Sequence, residues 1–347
     1  MKQKKMNWKE MSIGLCLVAL LAWFTFHVLL SGHSAQTLGS TFMRADIRFV
    51  AIGFACMFLF VNCEAANIRL LMGTFGKKVP YWRSLSYAFT DFYFSAITPS
   101  ATGGQPMQLY YMVRDGFGAA HSSFSLLVTA AVYQMTVLVY GCVMVGANLP
   151  FVMGQGRIIR LLLVFGVLVN GFCSGLILLI IFHGLLAEKT MLCIAGGLCR
   201  AGIIKNRKRA IRKVEGLIDE YSRGGAYLRQ YPLAAVRIFI HSAVQLTALY
   251  LVPYWACRAL GISASAKDFL ALQAILSLAV TAVPLPGSVG ASEGSFLVLY
   301  RTLLGAGQSF SVMLLSRGIS FYAMLCISGL ATAFLQFARR GKSASPV

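Results

Sequence analysis

Acidic residues are scarce in this sequence. Asp and Glu together number 11 in 347 residues, and charged residues of both signs make up 12%. A soluble domain carries about 25%. Too few charges remain to coat a water-facing surface, which excludes a soluble enzyme of ordinary surface. A hydrophobic content of 58% and a mean hydropathy of +0.71 exclude a disordered chain as well. Strand-like alternation is missing throughout. Chains that cross a bilayer are helical or closed barrels. An all-α, polytopic membrane bundle is what remains.

Several chemical signatures are also missing. The nine cysteines lie mostly in apolar stretches and none forms CxxC, so neither a disulfide framework nor a zinc site is expected. The five histidines are scattered, without HExxH. Nothing reads as a P-loop, a GxSxG elbow or a dinucleotide fingerprint. We therefore expect no cofactor, no metal and no catalytic set, because a paired base and nucleophile is lacking. The net charge of +20 could suggest nucleic acid, but no RNA-binding motif accompanies it. Basic loops on the cytoplasmic side of a bilayer account for it better.

Long apolar runs fill the chain. Met11–Leu30 follows four lysines and reads as an uncleaved first span. Ile47–Met72, Ala119–Gly146, Ile158–His183, Leu233–Trp255 and Phe310–Phe337 read as further spans. Residues 184–232 are polar and basic. Their KNRKRAIRKVEGLIDEY predicts a basic amphipathic helix on the cytoplasmic surface. Anchoring on anionic lipid is its plain role, and gating or partner docking is the alternative.

Two stretches differ from ordinary spans. Ser84–Val113 is broken at TPSATGGQP, and Asp268–Leu304 at VPLPGSVGASEG. Pro removes a backbone donor and Gly is a weak helix former, so a helix should break at each. Each arm of the first stretch is about 15 residues or fewer, roughly 22 Å, short of a ~30 Å hydrocarbon core. Both predict helix–break–helix hairpins that re-enter the membrane, with ordinary kinked spans as the alternative. Charge placement favours hairpins. With six full crossings and two hairpins, 22 of the 31 Lys and Arg fall on cytoplasmic pieces and 7 outside. If both stretches crossed instead, the ten basic residues of 184–232 would face outward. The expected organisation is one domain over 1–347 with about eight membrane-embedded segments. A first half, 10–183, carries the hairpin 84–113. The connector 184–232 follows, and a second half, 233–340, carries the hairpin 268–304. Opposed hairpins imply an inverted repeat, an arrangement that puts transporter sites near the midplane.

Intramembrane ionisable residues are costly and default to functional candidates. Glu64, Asp91 and Glu293 qualify, each with a structural partner as the alternative. Tyr87, Asp91, Ser95 and Thr98 are spaced by 4, 4 and 3, which puts them on one helical face. Gln105, Tyr110 and Tyr111 follow the break. Arg317 either snorkels, pairs with Glu293, or grips a lipid phosphate. Arg301 closes the second hairpin and could bind likewise. Free backbone N–H groups around both breaks suit an anion such as phosphate.

SAITPSATGGQPMQLYYMVRDG, PLPGSVGASEGSF and LLSRGISFYAMLCISGL together resemble the flippase-like membrane domain of lysylphosphatidylglycerol synthases, over about residues 10–340. The resemblance implies a domain that moves lipids between leaflets. In the full-length synthases the cargo is aminoacylated phosphatidylglycerol, made by a soluble domain from aminoacyl-tRNA. The product lowers negative surface charge and confers resistance to cationic antimicrobial peptides. By resemblance the site includes Pro99, Gly104 and Gln105, then Pro286, Gly287, Gly290 and Glu293, and Arg317; Gly103, in the first break, is a candidate beside them. Gln105 stands where the family commonly has Glu, which removes one charge. We expect no synthase domain here. The expected partner is an anionic or aminoacylated membrane phospholipid, not nucleic acid, with a separate synthase or a second copy of the chain as further partners. The expected location is the cytoplasmic membrane of a bacterial cell, with both termini inside. A membrane subunit for a lipid-modifying synthase or glycosyltransferase is the first alternative, and lysyl transfer by family resemblance the second.

Overall fold

The computed structural model describes residues 43, 45–98, 101–154, 156–182, 230–280 and 290–340. The first span at 11–30, the connector up to residue 229 and both proline-bearing break centres, 99–100 and 281–289, lie outside these.

The described residues form helices and no strand. In chain order they are α1 Ile47–Thr74, α2 Tyr81–Ile97, α3 Gly104–Arg114, α4 Ala119–Ala147, α5 Leu149–Gly154, α6 Arg157–Phe182, α7 Pro232–Ala259, α8 Ala266–Val280, α9 Ala291–Leu304 and α10 Ala306–Arg317. A π-helical turn, Gly318–Ala323, joins α10 to α11, Met324–Arg340. Among the described residues four helices are long and apolar enough to cross a membrane: α1, α4, α7 and the continuous Ala306–Gln336. The protein is a polytopic helical membrane protein.

Local signals set the ends. The Asp46 side chain caps α1 by accepting from the Arg48 N–H at 2.9 Å. Pro80 precedes α2, and Pro232 opens α7 at a position where its missing N–H costs nothing. Helix α5 adds a short turn between α4 and α6; Pro150 is tolerated in its first turn.

Helices α1 and α7 form the most extensive pair. The Asp46 N–H donates to the Ala259 carbonyl at 2.9 Å, and Asn67 meets His241 at 2.9 Å. Positions advance on one helix as they retreat on the other, so the pair is antiparallel. Gln134 donates to Asn170 at 2.5 Å and ties α4 to α6. Amide pairs of this kind satisfy polar groups that lipid cannot. The closely buried core holds Tyr87, Tyr111, Phe269, Tyr300 and Phe310. Apolar residues remain exposed in stripes, Leu161, Phe165, Leu168 and Phe172 on α6 and Leu233, Val236, Ile240 and Val244 on α7. Their three- and four-residue spacing is that of a helix face turned to lipid.

The two interrupted stretches fold back on themselves. At 17 and 11 residues, α2 and α3 reach about 25 and 17 Å; at 15 and 14 residues, α8 and α9 reach about 22 and 21 Å. Neither arm of either pair spans a ~30 Å core alone. The Tyr87 hydroxyl, near the start of α2, donates to Asp115 just past the end of α3 at 2.5 Å. Tyr300, near the end of α9, donates to the Phe269 carbonyl near the start of α8 at 3.5 Å. Each hairpin is thus closed at its mouth by a tyrosine. Phe296 stacks on Tyr300 with centroids 3.9 Å apart.

Candidate substrate cavity

The break of the first hairpin is shaped by Thr98, Gly103 and Gly104. Thr98 leaves the helix in an extended conformation, donates to the Phe94 carbonyl at 2.6 Å and accepts from the Gly103 N–H at 2.9 Å. The hydroxyl therefore serves one free acceptor of α2 and one free donor ahead of α3. Gly104 starts α3 directly against α2. A Cβ there would fall 2.2 Å from Ser95 Oγ, 2.3 Å from Asp91 Oδ1 and 2.9 Å from the Asp91 carbonyl oxygen. Only glycine permits that approach.

The approach brings Asp91 and Ser95 to the wall of a cavity of about 630 Å³. Five helices contribute. Helix α1 supplies Glu64, α2 supplies Asp91 and Ser95, α3 supplies Gln105 and Gln108, α4 supplies Thr129, Tyr133 and Gln134, and α7 supplies Gln245. Phe60, Phe92 and Leu126 give it apolar sides. Gln108 and Gln245 flank the Glu64 carboxyl, and Glu64 and Asp91 act on one another electrostatically. Among the described residues none that lines it is Lys, Arg or His.

A second polar locus lies on the second hairpin. Gly290, at φ +88°, precedes α9. Glu293 is fully buried; its Oε2 accepts from the Gly290 N–H at 2.6 Å and its Oε1 from Arg317 Nε at 2.7 Å. Arg317 also lies over the Phe321 ring, 4.5 Å from its centroid. It ends α10 where the π-helical turn begins, a distortion that recurs at functional sites.

The structure gathers Glu64, Asp91, Ser95 and Gln105 around one cavity, and Gly290, Glu293 and Arg317 around another point. Thr98, Gly103 and Gly104 build the break between α2 and α3. Tyr110 is half-buried beside Tyr111 in the packing and does not line the cavity. Arg301 is exposed in the last turn of α9. Pro99, Pro286 and Gly287 lie outside the described residues. Gln108, Thr129, Tyr133, Gln134 and Gln245 were not singled out in the sequence; isolated amides inside apolar runs were the signal for Gln134 and Gln245. Among the described residues no three His, Cys, Asp or Glu come together as a metal site.

Residues 11–328 match the family described as Lysylphosphatidylglycerol synthase TM region. A UPF0104 membrane protein of Archaeoglobus fulgidus is 24% identical over 311 residues, covering 85% of this chain and 89% of that protein.

Proposed function

The chain belongs to the lysylphosphatidylglycerol synthase TM region family, and from that premise we propose that it moves a phospholipid between membrane leaflets. The cargo is of the phosphatidylglycerol type, anionic or aminoacylated. The observation that carries this reading is the cavity at the break of the first hairpin. A cavity that brings two carboxyls and several amides inside five helices of a membrane protein has no packing purpose; it costs buried polar surface. Lined by carboxyls, amides and hydroxyls, it suits a hydrated headgroup, while the acyl chains stay in lipid. Non-helical backbone at membrane depth is tolerated where it lines such a space.

In this reading both short helix pairs are re-entrant, open to opposite sides and gate alternately. The Glu293–Arg317 pair holds the second hairpin to the last span, and Arg317 offers a cation to a lipid phosphate there. The termini are cytoplasmic, in the membrane of a bacterial cell. A separate synthase would dock on the basic connector.

Leaflet exchange of fluorescent lipids in proteoliposomes tests this. Phosphatidylglycerol or its lysyl ester should exchange faster than in empty liposomes. Exchange at the empty-liposome rate for both would contradict it.

A further inference from the structure

Among the described residues the cavity carries two acids and no base. Glu64 and Asp91 both line it, and no described lining residue is Lys, Arg or His. A charge within a bilayer is costly. Two like charges in one site cost more, because carboxylates sharing a site resist double ionisation.

Among the described residues the groups facing the pair do not balance it. On α1, Cys63 adjoins Glu64 in the chain. On α4, Tyr133 lines the same cavity. On α7, Gln245 flanks Glu64, as Gln108 of α3 does. Helix α3 otherwise offers Gln105 and its first residue, Gly104, which lies against Asp91. A helix start is worth at most about half a positive charge, too little for two carboxylates. None of these groups is a cation.

A second observation points to occupancy by a polar group from outside the bundle. The Gln245 side-chain oxygen, the Thr129 hydroxyl and the Gln108 side-chain nitrogen line the same cavity, are buried, and make no hydrogen bond among the described residues. Buried polar atoms left without a protein partner are normally satisfied by water or an ion. Two carboxyls, an unpaired amide oxygen and an unpaired hydroxyl outnumber the one unpaired amide donor on this wall.

We propose that Glu64 and Asp91 form a proton-binding pair that holds one proton between them at neutral pH, and that its loading and release accompany the transport step. One O–H bond forms on the pair when a proton arrives from one side of the membrane. The same bond breaks when the proton leaves to the other, and no electrons change hands. The pair titrates as a unit rather than as two independent acids. Only the coupling rests on the transport reading; the proton pair stands on the cavity alone.

The test uses the full chain in lipid nanodiscs without added cargo, followed by infrared titration of the carboxyl C=O stretch. Wild type should show a protonated-carboxyl band at neutral pH that fades on alkaline titration and is unaffected by exchanging Na⁺ for choline. Asp91→Asn and Glu64→Gln should each move the titration midpoint of the remaining acid to lower pH by about one unit or more, a tenfold change in proton affinity. Absence of the band, or a band identical in both variants, overturns the proposal. A band that disappears on adding Na⁺ also overturns it and assigns the site to an alkali cation. In proteoliposomes of phosphatidylglycerol and phosphatidylcholine, an imposed pH gradient should speed exchange about threefold or more in wild type and not in D91N. Robust exchange indifferent to the gradient overturns the coupling. No exchange under any condition sinks the transport reading instead, and the infrared result still decides the proton pair.

Discussion

Arg317 Nε lies 2.7 Å from Glu293 Oε1, and this contact ties the start of α9 to the end of α10. Glu293 is fully buried and the Arg317 side chain is 15% exposed. Removing one partner of such a pair strands the other charge, at about 3–5 kcal/mol. Glu293→Gln should therefore lower the melting temperature in detergent sharply. Combining it with Arg317→Met should recover part of the loss, because the stranded guanidinium is removed. Equal and additive losses in a double-mutant cycle would contradict the pairing.

Gly104 offers a steric test. A methyl group there meets the Asp91 backbone oxygen at 2.9 Å, so α3 would have to move away from α2. Gly104→Ala should destabilise the protein by about 1–3 kcal/mol, as overpacking does, and reduce lipid exchange. Gly294 is the matched control, since a Cβ there meets nothing within 4 Å. Gly294→Ala should leave the melting temperature unchanged or raise it slightly, by the helix preference of Ala. The opposite ranking of the two variants would refute the close approach.

Thr98 predicts a subtler effect. Its hydroxyl spans the break, from the Phe94 carbonyl to the Gly103 N–H. Thr98→Val keeps the shape and deletes both bonds, which should cost about 1–3 kcal/mol. Thr98→Ser should restore most of it. Equal stability of the Val and Ser variants would show that the bridge is not formed.

The hairpin mouth gives a local readout. Tyr87→Phe removes the bond to Asp115 without changing the packed ring. Hydrogen exchange should rise in α2 and α3 and stay unchanged in α7. A uniform rise across both regions would mean that the bond stabilises the whole bundle rather than the hairpin.

Much of this architecture is legible in the chain. Long apolar runs marked α1, α4, α6 and α7 because lipid demands a continuous hydrophobic length. Adjacent glycines and nearby prolines marked the break after Thr98, because backbone chemistry is local. Spacing by four placed Asp91 and Ser95 on one face, and both line the cavity. Thr98 was grouped with them by the same rule, but the helix ends there and its hydroxyl turns to the break instead. Tyr110 failed for a related reason: Gln105 and Gln108 are three residues apart and share a face, while Tyr110 is rotated away from both. Gln108, Tyr133 and Gln245 converge on Glu64 and Asp91 from three further helices. That convergence is a product of packing, and no periodicity within one segment encodes it. The pairing of Glu293 with Arg317 was one of three options, and the structure shows it, since a fully buried carboxylate needs a partner.

The central claim is that a headgroup passes through the cavity lined by Glu64 and Asp91. Ala130 also lines it and is only partly buried. Ala130→Trp would fill the space without altering any charge or polar contact named above. Leaflet exchange of fluorescent phosphatidylglycerol should fall in that variant to the rate of empty liposomes. Its elution as a single folded species and its melting temperature should stay near wild type. A folded A130W protein that exchanges lipid at the wild-type rate would contradict the account.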